Sequence, residues 1–475
     1  MGVTVILARY LGAESYGIYQ RSEAFVLLFS VLANLGLDMI LTREVARDRQ
    51  SAARTFWVVA LCKVLLSAAA LLLVLWLVPL RGYEGTLAQA IRLFAILLVV
   101  NAFVQSADAV LQGLQAMREL AVITVFAQVV WSIGALYCVW TDRGLLWIIG
   151  FLLVSGTAHL VASLTVLGRR GAVRWEPPRL EQARFLLREA LPLAFAAGFV
   201  ILYQQIDAVM IGDILGNAEV GWYKAGAKVL IVFSILRESF MMAVFPILAL
   251  LVRQDPDRLS RFFTRAVRYQ VIVALLFVIG LLSFGRLATF VFGPEFRETA
   301  QLLPLLGWIT IPQVISITSG RTLIAAGRQN QLMVSTSVSL VVNVVGNFLL
   351  IPRFGIQGAA TASILSECVV AGLNLFYVHR FVCKTHLLVS LLRPLLAALF
   401  TGAVIYPLRG ESILWTTLLA VVVYAIALLL TRTFTSAEIA QGKAFLRSLR
   451  ERWRPSDTEP PRPEWEPLER GDFEE

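Results

Sequence analysis

Charge is scarce in this sequence. Asp, Glu, Lys and Arg make up 16% of the 475 residues, whereas a soluble domain carries about a quarter, so a water-soluble globule is excluded. Strand-period alternation is lacking too, which excludes a transmembrane β-barrel. The only four cysteines, Cys62, Cys138, Cys368 and Cys383, lie in or beside apolar runs without metal-ligand spacing and read as small apolar residues. Paired carboxylates, metal-ligand clusters and large polar connections are missing, so a membrane glycosyltransferase or polymerase would lack its catalytic machinery. The chain is therefore expected to be no enzyme and to carry no cofactor. The opening "MGVTVILA" has neither the basic region nor the cleavage site of a secretory signal.

Apolar residues are abundant. They fill 58% of the chain, mean hydropathy is +0.74, and runs near twenty residues recur, as at 55–78, 120–140, 145–168 and 413–430. Each is long enough to cross a hydrocarbon core of about 30 Å as a helix. The expected fold is an all-α polytopic membrane protein with about fourteen spans. They fall near 1–9 (a fragment), 22–41, 55–79, 86–110, 120–140, 145–167, 190–211, 221–250, 266–291, 299–320, 331–351, 357–379, 388–408 and 412–431. With connections placed alternately on two sides, one side collects more than twice as many Lys and Arg as the other. That side is expected to be cytoplasmic and to hold the C-terminus. Basic loops also account for the net charge of +10, and no nucleic-acid partner is expected.

The chain repeats itself. "LGAESYGIY" (11–19) returns as "LGNAEVGWY" (215–223), and "TDRGLLWIIGFLLVSG" (141–156) aligns with "PRFGIQGAATASILSE" (352–367). The second offset, 211, carries the four-spaced polar stripe Thr124, Gln128, Ser132 onto Ser335, Ser339, Asn343. Two six-helix halves in the same order and orientation make a parallel repeat, a transporter arrangement with a cavity between halves. The expected units are an N-terminal bundle (1–170), a C-terminal bundle with a cytoplasmic interfacial helix (171–385), two further transmembrane helices (386–431), and a cytoplasmic amphipathic segment with a disordered tail (432–475). Within the motif, Gly12 and Gly216 suit helix ends and Gly17 and Gly221 suit close packing, while Tyr19 and Tyr223 suit an interfacial aromatic belt. The second copy is preceded by a full span and the first by ten residues, too few to cross about 30 Å. About fifteen residues of the first span are therefore expected to be missing. The basic amphipathic stretches 177–192, 255–269 and 436–454 read as interfacial helices.

"ARYLGAESYGIYQ", "NLGLDMILTREVAR" (34–47), "IDAVMIGDILGNAEVGWYKAGAKV" (206–229) and "NFLLIPRFGIQGAATASILSE" (347–367) resemble the oligosaccharide flippase (polysaccharide biosynthesis protein) family. That family belongs to the multidrug/oligosaccharidyl-lipid/polysaccharide exporter superfamily. The resemblance covers roughly residues 1–430. It implies an inner-membrane flippase that moves an undecaprenyl-pyrophosphate-linked oligosaccharide to the periplasmic leaflet, for cell-surface lipopolysaccharide or exopolysaccharide. The implied partners are the lipid-linked oligosaccharide, membrane lipids and polysaccharide polymerase machinery. A multidrug antiporter and a lipid II flippase share the superfamily and remain open alternatives.

A pyrophosphate path needs cations and polar groups shielded from lipid, and charge at bilayer depth marks such paths. Lys63, Arg92, Lys228 and Arg237 interrupt predicted spans; ion pairing or snorkelling is the competing reading. Lys228 and Arg237 stand half a turn out of phase and cannot face one cavity squarely. Arg9 and Arg43 are headgroup candidates by resemblance and membrane-edge anchors by position. Asn101, Gln105 and Asp108, with Gln112, form a polar face on the fourth span, suited to sugar hydroxyls or to helix–helix hydrogen bonds. Asp38 and Asp207 are candidate ion-coupling carboxylates.

Overall fold

The computed structural model describes residues 2–49, 52–177, 180–408, 413–434, 438 and 440. The segment 436–454 and the tail beyond it lie almost wholly outside the described residues. Among those described, the chain is helical with no strand. The first half contains α1 (Gly2–Asn34), α2 (Leu37–Arg47), α3 (Ala52–Leu80), α4 (Gly85–Gly113), α5 (Met117–Trp140) and α6 (Leu145–Arg169). The second contains α7 (Leu180–Ile214), α8 (Asn217–Gln254), α9 (Pro256–Phe292), α10 (Arg297–Gly307), α11 (Thr310–Ala325) and α12 (Gln329–Phe381). Next come α13 (Leu387–Ile405) and α14 (Ile413–Leu430), which pack on α9. Among the described residues nine helices are long and apolar enough to cross a membrane, or eleven if two bent pairs each count as one span.

Helices and expected spans differ where glycine interrupts the chain. α1 breaks at Gly12 (φ 69°, ψ 175°), so its second segment starts near residue 13 rather than 22. It then bends by 43° into α2. The expected spans 331–351 and 357–379 are one 53-residue run, α12, broken at Gly355 (φ 60°, ψ −141°). The break is a hairpin: Ser339 Oγ donates to Ser366 O at 2.8 Å across 27 residues, where a straight helix would hold them about 40 Å apart. Gly144, at the repeat-equivalent turn between α5 and α6, has φ 75°, and Ser155 there donates to Ala127 O at 2.7 Å. The stretches 180–192 and 256–269 are not separate interfacial helices. They run without a break into α7 and α9, the latter capped by Asp255, whose side chain accepts from Asp257 N and Arg258 N.

Two large apolar clusters reflect the duplication. One gathers α1, α3, α4, α5 and α6 and reaches α7, α8, α10 and α12, whereas the other joins α8, α9, α11 and α12 to α13 and α14. Exposed Leu, Val, Ile, Phe and Trp are spread over the outer surface, as a helix bundle facing lipid requires.

Candidate functional site

The repeated motif meets its own copy. A Cβ at Gly17 would lie 1.7 Å from Asn217 O, and one at Gly221 would lie 2.2 Å from Ala13 O. Only hydrogen fits at either position, so the second segment of α1 and the start of α8 touch backbone to backbone. This agrees with the close packing expected of these glycines. Gly216, like Gly12, has positive φ at the helix break. The tyrosines depart from expectation: Tyr19 and Tyr223 are buried rather than interfacial. Tyr19 packs edge-on against Phe94, and Tyr223 donates to Asp207 Oδ2 at 3.0 Å.

Polar bonds seal the same junction. Asp213 at the end of α7 accepts from Arg21 Nη2 at 2.6 Å and Tyr83 OH at 2.7 Å, and also pairs with Arg81. Burial pushes the Tyr83 phenol up, helped by the Asp213 carboxylate, so Tyr83 stays a donor. Arg21 Nη1 adds Asn217 Oδ1 at 2.7 Å, Asn217 Nδ2 reaches Glu14 Oε1 at 3.0 Å, and Ala13 N donates to Glu295 Oε2 at 3.0 Å. Among the described residues, every hydrogen bond from α8–α12 to the first half lies on this Gly12 side. On the opposite side, the bonds between residues 1–170 and 171–385 are Arg43 to Glu189 near the start of α7, Arg54 Nε to Glu176 Oε2 at 2.9 Å and Trp57 Nε1 to Arg174 O at 3.2 Å.

Behind the junction lies a chamber of about 390 Å³, within the ~300–1,000 Å³ of ligand clefts. Its polar wall includes Thr4, Gln20, Glu23, Asn101, Thr124, Gln128, Ser155 and His159 from the first half, and Lys228 from α8. A second chamber of about 260 Å³ adjoins it, sharing Glu23, Leu97 and Asn101 and adding Asn34, Gln105 and Ile201. The stripe Thr124–Gln128 thus faces a cavity. Of its repeat copy, Ser339 lines a second-half cavity of about 430 Å³ together with Glu367 and Val370, at the positions that an offset of 211 predicts from Gln128, Gly156 and His159.

The predicted residues divide. Lys228 faces the main chamber, Asn101 faces both chambers, and Gln105 lines the smaller one while accepting from Asn34 Nδ2 at 2.7 Å. Asp108 holds His159 Nε2 at 3.1 Å and Ser163 Oγ at 3.3 Å, so it meets the chamber through His159. Lys63 is sealed: its side chain is fully buried and donates to Asp38 Oδ1 at 2.6 Å and Ala102 O at 2.8 Å. Asp38, also accepting from Ser106, is its counter-ion. Arg237 is tied to Gln313 Oε1 at 2.9 Å and Glu238. Arg43 is paired with Glu44 and Glu189. Arg9 is exposed, with Gly293 close to its stem. Arg92 is exposed, nine residues and hence half a turn from Asn101, on the face of α4 away from the chambers.

Sequence reasoning passed over Glu23 and Lys224. Glu23 sits eleven residues beyond the Gly12 break, well inside a helix whose start the hydropathy pattern placed near residue 22. The repeat offset of 204 sets Gln20 opposite Lys224 and Ala24 opposite Lys228, which puts Glu23 beside the first-half counterparts of both lysines. Two buried acids of the second half hydrogen-bond to uncharged donors. Asp207 accepts from Asn347 Nδ2 at 2.6 Å, Ser363 Oγ at 2.8 Å and Tyr223. Glu367 accepts from Ser316 Oγ at 2.5 Å and Tyr203 OH at 2.7 Å. Among the described residues, no three potential metal ligands cluster.

Two similar helical halves joined at a glycine pair, with polar chambers beside the joint, form a multi-pass membrane transporter fold. A family model described as polysaccharide biosynthesis protein matches residues 1–252, more than half of the chain, and the chain belongs to that family. A MatE model matches residues 192–349. The chain is 24% identical over 395 residues to the probable low-salt glycan biosynthesis flippase Agl15 of Haloferax volcanii, covering 80% of each. Its fold is similar to that of the lipid II flippase MurJ in an inward closed conformation, with a TM-score of 0.70 at 13% identity over 94% of this chain and 97% of that one. An inward-facing MATE family multidrug resistance transporter of the MOP superfamily gives 0.68 at 13% identity, over 80% and 94%.

Proposed function

We propose that this protein is a flippase that carries an undecaprenyl-pyrophosphate-linked oligosaccharide from the cytoplasmic to the periplasmic leaflet of the inner membrane. The observation that carries the reading is the polar chamber beside the interhalf joint, with Lys228 reaching into it from the second half. The relatives named as glycan flippases support the substrate class. The Arg-rich side, with the C-terminus, is cytoplasmic, and the Gly12 side is periplasmic. More interhalf hydrogen bonds lie on the Gly12 side than on the other, which supports reading this state as the one closed to the periplasm. The bundles 1–170 and 171–385 rock against each other, parting and remaking the glycine joint, and residues 386–431 extend the second bundle toward lipid. The work is transport rather than catalysis, in company with polymerase machinery that consumes the delivered oligosaccharide.

Chamber residues supply binding and not direction. Lys228 and His159 offer positive charge or donors to a diphosphate, while Asn101, Gln128 and Thr124 suit sugar hydroxyls. An inside-negative potential favours outward passage of a dianion by about 4–5 kcal/mol at 100 mV. Asp38 is committed to Lys63, so ion coupling falls to Asp207, whose partners are all uncharged. Glu23 in the chamber wall favours the rival reading, an antiporter of cationic drugs. Deleting the gene and analysing lipid-linked glycans separates the two. Accumulation of an undecaprenyl-linked oligosaccharide in the cytoplasmic leaflet supports the flippase, whereas unchanged glycans with altered drug tolerance refute it.

A further inference from the structure

Glu23 occupies a place that an anion path does not obviously need. It stands on the wall shared by the two chambers, facing α8 just inside the Gly17–Gly221 joint. The charges acting on it are Lys228, which lines the same chamber, and Lys224, which lies outside the chamber lining and is also under the charge of Asp207. Among the described residues none of Glu23, Lys224 and Lys228 closes a direct ion pair. Lys224 Nζ donates to Gln205 Oε1 at 3.2 Å, and Gln20 Nε2 lies 3.4 Å from Glu23 Oε2. The carboxylate thus has two ammoniums within electrostatic reach, neither locked to it, and an uncharged donor on its own helix.

We infer that Glu23 is the resident counter-ion of the empty carrier, exchanging places with the diphosphate of the substrate at Lys228. The inference rests on the flippase reading above. An uncompensated Lys228 ammonium in a shut, low-dielectric chamber is costly, so an empty carrier without Glu23 could not readily close and return. A diphosphate takes over the Lys228 ammonium, and Glu23 falls back on Gln20. Release of the lipid lets Glu23 return to Lys228, and the empty carrier resets. Glu23 is thereby needed for the return step and works against binding.

The test uses full-length protein in proteoliposomes of phosphatidylethanolamine and phosphatidylglycerol, with a fluorescent polyprenyl-diphosphate N-acetylglucosamine as probe and dithionite quenching to report its leaflet. Net flipping is compared with exchange against unlabelled lipid supplied in the opposite leaflet, and affinity is read by titration. Removing one negative charge beside the ligand at an effective dielectric near 20 is worth about a factor of ten. Glu23→Gln should therefore bind the probe about tenfold more tightly and lose about tenfold in net flipping, with exchange within about twofold of the parent. Glu23→Asp, which keeps the charge, should retain net flipping within about threefold, and it supplies the answer if Glu23→Gln unfolds. Equal loss of exchange and net flipping in Glu23→Gln overturns the counter-ion role, as does unchanged affinity. In either case a flipping parent, weakened by Lys228→Met, leaves the flippase reading standing. A parent that neither binds nor moves the probe sinks the flippase reading itself.

Discussion

Gly17→Ala is the most informative single change, because the structure states what it must move. The added methyl carbon would lie 1.7 Å from Asn217 O, whereas ordinary contact begins at 3.4 Å. The obstacle is backbone on a helix, so no rotamer relieves it, and α1 and α8 must separate by well over an ångström. Overpacking of this kind costs about 1–3 kcal/mol. The contact belongs to the state closed on the Gly12 side, so about 2 kcal/mol shifts that state against its alternatives by about thirtyfold. Gly221→Ala meets Ala13 O at 2.2 Å across the same interface. The double variant should therefore cost less than the sum of the two, since the first methyl has already opened the space. The assay is the rate at which a short bifunctional thiol reagent links Glu14→Cys to Asn217→Cys in a chain whose native cysteines are replaced. The parent side chains at these positions lie 3.0 Å apart. The rate should fall in Gly17→Ala, by at most about the same thirtyfold. An unchanged rate with unchanged thermal unfolding would refute the backbone joint.

Asp213→Asn removes the charge shared by Arg21, Arg81 and Tyr83. It should destabilise the same closed state by about 1–3 kcal/mol, mostly through the largely buried Arg21 rather than the half-exposed Arg81, and the same linking rate reads it. Lys63→Met should cost about 3–5 kcal/mol by stranding Asp38, and Lys63→Met with Asp38→Asn should recover much of that. Loss of flipping in Lys63→Met without any change in thermal unfolding would show that Lys63 is not a sealed structural pair. Asp255 caps α9, and hydrogen bonds from Arg258 N and Asp257 N hold its carboxyl below the usual range. A depressed folded pKa contributes stability above the unfolded value of about 3.9 and loses it as pH falls through the folded one. Asp255→Ala should therefore lower the Tm at neutral pH, and the difference from the parent should vanish in acid.

The helical content and the repeat were open to sequence reading because both are local. Apolar run length reports a helix, and a nonapeptide that recurs needs no third dimension. The exchange of tight turns for loops was less visible. Gly355 lets two spans fold back with no connecting coil, so hydropathy shows two runs where the chain makes one interrupted helix. Charge was harder. Lys63 and Lys228 look alike in an apolar run, yet one is neutralised by Asp38 from a helix 25 positions earlier and the other faces a cavity. Which it is depends on the register between helices, which no spacing along one helix contains. Tyr19 and Tyr223 failed for the same reason: position near a span end suggested the membrane surface, but the glycine contact draws both rings inward.

A joint made by two α-hydrogens has no knobs seated in holes. Parting the two glycines leaves no cavity between them, so the cost of opening rests on the polar bonds around them, those of Arg21 and Asp213 above all. The joint also sits apart from the chambers: neither glycine lines them. Selection can thus refit the chamber for a new substrate while leaving the joint untouched.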